Sequence, residues 1–298
     1  MKKKIAIIGS GVGGLTAANL LIKNSDFEII VYEKEKMLSL EEGYGIQLAP
    51  NSISILNKIG FRNIDKNDIF NPLKLNFYSN NNKICDLDLG KFNNDSIKYT
   101  TLQRSTLIEF LKDKLFTNNF RFGKEVRKVS KIKDKLLINF SDNTNDLVDF
   151  IIVSDGVFSK TKSIIENKDI RPRYNGSVAI RSVIKFSDEF NYESKNISLI
   201  MFPNAHVVIY PINKKGDFNL VCIAREKLSQ NYDMHSIIKK KILSKNKNLE
   251  NLFKADLNLW PVYVSKKPIK SIHDNVFYLG DAFYTFVPAL AQGASQSI

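Results

Sequence analysis

Hydrophobic and polar positions along this chain follow two periods, and the two alternate. The unbroken apolar run Ile5 to Ile8 reads as a strand buried on both faces. After a cluster of glycines the apolar pattern resumes as an amphipathic helix. A second apolar run, I-I-V-Y-E, closes at Glu33, and a further helix follows Pro50 and Asn51. Residues 73–98 switch to alternation in L-K-L-N-F-Y-S and K-I-C-D-L-D-L, joined by an Asn-rich turn at Asn80 to Asn82. Helical period returns near residue 99. There Leu107, Phe110, Leu111 and Leu115 form one stripe, and Thr106 and Glu109 have the spacing of a capping box. Strands L-L-I-N-F and F-I-I-V-S then lead to Asp155-Gly156.

From about 172 to 226 four more strand runs appear: S-V-A-I-R-S-V-I-K, I-S-L-I-M-F, A-H-V-V-I-Y-P-I and F-N-L-V-C-I-A-R. Ile238, Ile242, Leu249 and Phe253 give one amphipathic helix its apolar side, with the lysine run from Lys239 to Lys247 as its solvated face. V-F-Y-L-G-D returns to the pattern of a buried parallel strand. The alternation predicts an α/β fold. A parallel-sheet unit is visited three times, at 1–72, 99–171 and 271–298. A β-sheet unit is inserted at 73–98 and 172–270.

The glycines between the first strand and helix follow G-x-G-x-x-G, with Gly9, Gly11 and Gly14 in place and Gly13 beside them. Gly9 allows the strand to stop abruptly, and Gly11 lets the backbone approach a pyrophosphate. Gly14 lets the helix lie close on the strand, with its positive end toward the phosphates. Glu33, at the end of the next strand, can accept hydrogen bonds from a ribose hydroxyl. An adenine dinucleotide is the expected ligand. Asp281 also ends a buried strand, where open α/β sheets bind ligands, and its carboxylate can hold a polyhydroxy chain. Pro288 then restricts the backbone, and Ala291-Gln292-Gly293-Ala294 opens a new helix.

Composition narrows the choice of partners. The 298 residues carry 44 basic and 31 acidic side chains, a formal charge of +13, but the lysines are scattered. No basic-aromatic module is present, which argues against nucleic acid, while a positive surface attracts anionic cofactors and aromatic acids. Two distant cysteines, Cys85 and Cys222, give neither a disulfide framework nor a zinc pattern and suit a reducing cytoplasm. His206, His235 and His273 have no metal-site spacing, so no metal is expected. The apolar run after the N-terminal lysines is cut by glycines, unlike a signal peptide, and no run reaches the roughly 18 apolar residues of a transmembrane helix.

Five blocks in order, G-S-G-V-G-G-L-T-A-A, G-Y-G-I-Q-L-A-P-N-S, Q-R-S-T-L-I-E-F-L, V-S-D-G-V-F-S-K-T-K and L-G-D-(x6)-P-x-x-A-Q-G-A, span nearly the whole chain. Together they resemble the single-component FAD-dependent aromatic-ring monooxygenases, in the salicylate hydroxylase-like branch. The resemblance implies a Rossmann-like FAD-binding domain of glutathione-reductase type. It also implies a substrate sheet and hydroxylation of a small phenolic or aromatic-acid ring with NAD(P)H and dioxygen, through a flavin C4a-hydroperoxide. By the same resemblance Gly9, Gly11, Gly13, Gly14 and Glu33 hold the ADP half of FAD, and Arg104, just ahead of its helix, meets the pyrophosphate or ribityl region. Gly45 falls in the loop that approaches the isoalloxazine. Asp155 and Gly156 touch FAD and help place the nicotinamide. Gly280 and Asp281 hold the ribityl chain, and Gly293 and Ala294 offer backbone N–H to the flavin.

The inserted sheet then supplies the substrate wall. Its candidates Arg181, His206 and Tyr210 serve equally well as ordinary sheet residues, and Phe286, Pro288 and Leu290 are placed to line the ring pocket. Three features depart from the family pattern. Lys162 stands where the D-G-x-x-S-x-x-R motif has arginine, and Phe283-Tyr284 follow Ala282 where Ala-His is usual. The sequence also ends at Ile298 inside a helix, so it reads as C-terminally truncated. The alternatives are another FAD-dependent oxidoreductase or a truncated relic that holds flavin without turnover.

Overall fold

In a computed structural model, the structure describes residues 2–38, 40, 43–80, 82–185, 192–288 and 291–298. A five-stranded parallel sheet runs in the order Val276–Tyr278, Phe150–Val153, Lys3–Ile8, Phe27–Glu33 and Phe120–Phe122. Ile5, Ile7, Ile29 and Val31 turn one face toward the helices Val12–Leu21 and Arg104–Lys112, where Leu15, Ala18, Leu107, Ile108 and Leu111 are buried. The other face, carrying Ala6, Ile8, Ile30 and Tyr32, packs on an antiparallel three-stranded sheet through Val126, Leu136, Ile138, Phe140 and Val148. Strands buried on both faces must be apolar throughout, which is why I-A-I-I shows no alternation.

The second large sheet has seven strands. Its order is Asn258–Val264, Arg173–Lys185, Asp217–Arg225, Ala205–Pro211, Ile197–Phe202, Lys74–Ser79 and Asn82–Asp88. Its back, with Val178, Ile180, Val207, Ile209, Leu220 and Cys222, is closed by Ile237, Ile238, Ile242, Leu249, Leu252 and Phe253. The strand Asn258–Val264 escapes the sequence pattern because Pro261 interrupts it. It lies at the sheet edge, where a missing N–H is tolerated.

Two expected elements differ. The expected capping box does not form. The helix begins at Arg104, behind an N-cap Gln103 with no side-chain cap bond, so Thr106 is already inside it. Pairing of Thr100–Gln103 with Gly45–Leu48 holds the chain extended to residue 103 and decides that boundary. The single lysine-faced helix is instead broken into Met234–Ile238, a wider turn over Lys239–Leu243 and a tight-turned helix over Lys247–Phe253. Ser244 and Asn246 turn their side chains onto backbone groups at the break, offering the chain an alternative to continued helix. The apolar side assigned from sequence is the buried side nonetheless.

Cys222 is 0% exposed and burial pushes its thiol up to about 12, whereas Cys85 is exposed. Thiol titration of the native chain is expected to label Cys85 alone, with Cys222 reacting only after denaturation. Rapid labelling of both in the native state would show that the core behind the sheet is open.

Candidate active site

Three turns meet at the carboxyl edge of the parallel sheet. Gly9 N–H donates to Tyr32 O at 2.8 Å, Ser154 N–H to Ile8 O at 2.8 Å and Leu279 N–H to Val153 O at 2.9 Å, so the strands are stitched together as they end. Gly9 sits at φ +101°, and a Cβ there would lie 2.7 Å from Ser154 O. A Cβ on Gly14 would lie 2.2 Å from Gly9 O, so helix and turn touch backbone to backbone. Gly11, at the helix N-terminus, has nothing within 4 Å of the point where a Cβ would stand, which leaves space for a ligand.

Gly13 and Gly280 converge on one residue. A Cβ on Gly13 would lie 3.0 Å from Ser297 O, and a Cβ on Gly280 would lie 2.9 Å from Ser297 Oγ. The glycine turn and the late aspartate turn are therefore neighbours, joined through the short helix Gly293–Ser297. That helix is anchored by Ser295, whose hydroxyl accepts from Ala49 N–H at 3.1 Å and whose carbonyl accepts from the Ser52 hydroxyl at 3.1 Å. Glu33 accepts from the backbone and hydroxyl of Ser10 at 3.0 and 2.6 Å, which fixes its carboxylate beside the glycine turn.

Between the turns lies a group of charges, with Lys162 buried and Asp155 and Asp281 half-buried. Burial raises the Asp155 carboxyl against hydrogen bonds from Ser159 and Thr161, and its Oδ1 has no partner among the described residues. Burial also raises Asp281, opposed by the charge of Lys162. Lys162, 3% exposed, is lowered by burial and held up by Asp155 and Asp281. The lysine that departs from the arginine pattern thus faces both carboxylates named from sequence.

Two expected placements change. Gly45 is not in a loop: it opens the strand Gly45–Leu48, gives its N–H to Asn219 Oδ1 at 2.8 Å, and has room for no Cβ, which would lie 2.5 Å from Asn219 Cβ. The loop at this place is Gly43-Tyr44. Arg104 is the first residue of its helix rather than ahead of it, with its N–H on Tyr44 O at 2.9 Å. The segment Tyr44-Gly45 therefore ties the start of that helix to the seven-stranded sheet.

Arg181, His206 and Tyr210 come together on one face of that sheet. Register pairs Arg181 with Val221 and Val221 with Val208; it pairs Ala179 with Ile223 and Ile223 with His206; it pairs Val183 with Asn219 and Asn219 with Tyr210. This face looks toward Gly45, and its middle residues Ala179, Arg181, His206, Val208 and Val221 are only half-buried. Burial lowers the His206 imidazole. Tyr210 is 3% exposed and raised by burial, at the deep end of the face near Tyr99 and Gln47, which share a 2.8 Å hydrogen bond.

Sequence reasoning missed Tyr44, Asn219, Asn258 and Trp260. Asn258 Nδ2 donates to Tyr44 Oη at 2.8 Å, and the Tyr44 and Trp260 rings meet edge to face at 5.0 Å. A cavity of about 340 Å³ adjoins the last turn, lined by Arg173, Val264, Ser265, Tyr284, Phe286 and Gln292 among others. Pro288 follows it; Leu290 lies outside the described residues. Among the described residues no cluster of His, Cys, Asp and Glu has the makings of a metal site, and no helix is long and apolar enough to cross a membrane.

Residues 7–41 match the family model of an NAD(P)-binding Rossmann-like domain. The 3-amino-4-hydroxybenzoate 2-monooxygenase of Streptomyces cremeus is 24% identical over 99% of this chain and 76% of its own length. The 6-hydroxynicotinate 3-monooxygenase of Bordetella bronchiseptica is 23% identical over 100% of this chain and 80% of its own. The chain is a homologue of the FAD-dependent aromatic-ring monooxygenases. Against the Streptomyces platensis relative PtmB3, 26% identical, it spans 54% of the length. The fold agrees with this flavoprotein monooxygenase relationship: Klebsiella pneumoniae HpxO, solved with FAD and uric acid, superposes with a TM-score of 0.88 at 19% identity, covering 99% of this chain and 77% of HpxO. A salicylate hydroxylase substrate complex superposes at 0.81 with 16% identity, covering 99% and 77%.

Proposed function

We propose that the chain is a monooxygenase that takes NAD(P)H and dioxygen and hydroxylates a small phenolic or carboxylated aromatic ring, in the cytoplasm. The reaction balances as ring C–H, dioxygen, NAD(P)H and a proton giving ring C–OH, NAD(P)⁺ and water. One observation carries this reading: three turns that fit a dinucleotide meet at one sheet edge, and the last of them is tied to the end of the inserted sheet by Thr285 N–H donating to Ser265 Oγ at 3.0 Å.

The residues fit FAD. The open space at Gly11 and the orphaned Asp155 Oδ1 are features a dinucleotide with ribose and ribityl hydroxyls satisfies. Gly9, Gly11, Gly14 and Glu33 would take the ADP half, with Gly13 packing the helix closely. Arg104, whose side chain has no partner among the described residues, would face the pyrophosphate. Asp155, Gly156, Gly280 and Asp281 would meet the ribityl region, and Gly293 and Ala294 the ring. FAD supplies, when bound, the two-electron and oxygen chemistry that side chains lack.

The chain itself must orient the ring, exclude water and move a proton. Val208, Val221 and Ala179 offer an apolar wall for a flat ring, and Phe286 lines the cavity that adjoins the last turn. His206 is the base for a phenolic proton: burial disfavours its charged form, so it stands neutral and ready to accept. Because the neutral form is the active one, a lowered pKa moves the acid limb of kcat/KM below the ordinary histidine value of 6.5. His206→Asn is expected to lower kcat/KM about 100-fold and abolish that limb. A limb unchanged in the variant would remove His206 from this role.

The function is tested by adding FAD to the purified chain and following NAD(P)H oxidation and product against a panel of hydroxylated aromatic acids. Bound flavin with ring-stimulated oxidation and a hydroxylated product is expected. Flavin without product under any ring would mean another oxidoreductase, and failure to hold flavin would mean a non-catalytic chain.

A further inference from the structure

We propose that Lys162 makes the cofactor site titratable, so that FAD is held while the Lys162 amine carries its proton and is released as the amine loses it. The inference rests on the FAD reading above and adds a control that an arginine in the same place would not provide. Lys162 is 3% exposed, near the start of the helix Lys160–Glu166. Its backbone N–H donates to Ser159 Oγ at 3.2 Å and its ammonium to Val157 O at 3.3 Å, so the side chain folds back onto the turn that carries Asp155 and Gly156. There it faces the Asp155 carboxyl of that turn and the Asp281 carboxyl of the last turn. The other charged groups around the helix are engaged elsewhere. Glu166, one turn on, accepts from Tyr278 Oη at 2.6 Å and from Ile272 N–H at 3.2 Å. Lys160 pairs with Glu125 at 3.0 Å. The strand Val126–Ile132, packed on the same helix, turns Val126 and Val129 inward and leaves Arg127 and Lys128 exposed.

Burial favours the neutral amine, Asp155 and Asp281 favour the charged one, and burial is the stronger influence, so the amine stands below its ordinary value. A guanidinium so placed would keep its charge at any pH the fold survives, whereas a lysine amine does not. That charge matters because of what enters. FAD brings a negatively charged pyrophosphate to a site that already holds Asp155, Asp281 and, beside the glycine turn, Glu33. With Lys162 charged, the carboxylates stay ionised and can accept from sugar and ribityl hydroxyls while their field is balanced. With Lys162 neutral, two half-buried carboxylates meet an anionic ligand uncompensated. They either repel it or take up a proton and lose acceptor capacity, and both weaken binding. The effect is reciprocal. FAD favours the protonated amine, so its binding raises the amine's pKa and takes up a proton where the free amine has partly lost its own. The gain in affinity is full below the free amine's pKa and falls away as pH rises above it.

The test titrates the purified chain with FAD alone between about pH 7 and about pH 9.5, a range in which a depressed lysine loses its proton. Flavin fluorescence reads the dissociation constant, a weakly buffered solution reads proton exchange, and circular dichroism checks the fold at each pH. In the wild type the dissociation constant is expected to rise about tenfold or more across the range, with up to about one proton taken up per FAD at the alkaline end. Lys162→Arg is expected to hold a constant flat within about twofold and to take up no proton. Lys162→Met, uncharged throughout, is expected to bind about tenfold or more weakly already at neutral pH and to lose the pH dependence. A wild-type constant independent of pH overturns the proposal, as does proton uptake that persists unchanged in Lys162→Arg. Should Lys162→Arg not fold, a pH dependence retained in Lys162→Met overturns it equally. Failure of the wild type to bind FAD at any pH would sink the FAD reading and the proposal with it. A Lys162-dependent FAD profile with no hydroxylated product would support the proposal and count against the hydroxylation alone.

Discussion

Gly14→Ala is expected to abolish FAD retention and to lower stability by about 3 kcal/mol, the upper range for inserting a methyl into closed packing. The new Cβ would stand 2.2 Å from Gly9 O and 2.5 Å from Ser154 Oγ, and the first of these is backbone, which cannot rotate away. The helix Val12–Leu21 would have to lift from the strand Lys3–Ile8, opening the turn that presents its N–H groups. Gly11→Ala separates ligand from fold. Nothing lies within 4 Å of its Cβ, and its φ of −74° suits any residue. That variant is expected to melt within about 0.5 kcal/mol of the parent, as unstrained surface changes do, yet to bind FAD more weakly. Thermal unfolding and flavin absorbance read the two effects apart. Flavin retention equal to the parent's in both variants would mean that this turn does not meet the cofactor.

Lys162→Met is expected to destabilise the chain by about 1–2 kcal/mol at pH 8, because it removes the cation that faces two half-buried carboxylates. The sign of the pH dependence follows from the raised Asp155 and Asp281 carboxyls. A carboxyl whose folded pKa is raised contributes stability below its unfolded pKa and loses it as pH rises through the folded value. Removing Lys162 raises both further, so the loss deepens toward alkaline pH and shrinks at pH 5. Asp281→Asn added to Lys162→Met is expected to recover part of the loss. Denaturant titrations of the single and double variants at both pH values measure this, and a pH-independent loss would contradict the electrostatic coupling.

The parts of the site legible in the sequence are those set by local backbone demands. Gly9 and Gly14 are required by a turn and a close approach within six residues, so their spacing betrays them. Asp155 and Asp281 follow apolar strands directly, and strand ends are readable. Arg181, His206 and Tyr210 stand out because alternation marks the face they share. Gly45 was legible as a glycine but not for its reason, since Asn219 and Ile212, which crowd it, arrive from a distant part of the chain. Tyr44, Asn258 and Trp260 were silent for the same cause: their meeting is fixed by register between Arg173–Lys185 and an edge strand disguised by Pro261. Lys162 read as a departure from a pattern. Its burial between two carboxylates could be seen only once the turns were side by side.

That ring and dioxygen meet between these turns and the open sheet face is tested most directly with isotopically labelled dioxygen. The FAD-supplemented chain is run with NAD(P)H and an aromatic acid under the labelled gas, and the product is weighed. One labelled oxygen atom in the new ring hydroxyl is the predicted result; a product whose hydroxyl carries oxygen from water, or labelled hydrogen peroxide with the ring unchanged, would contradict it.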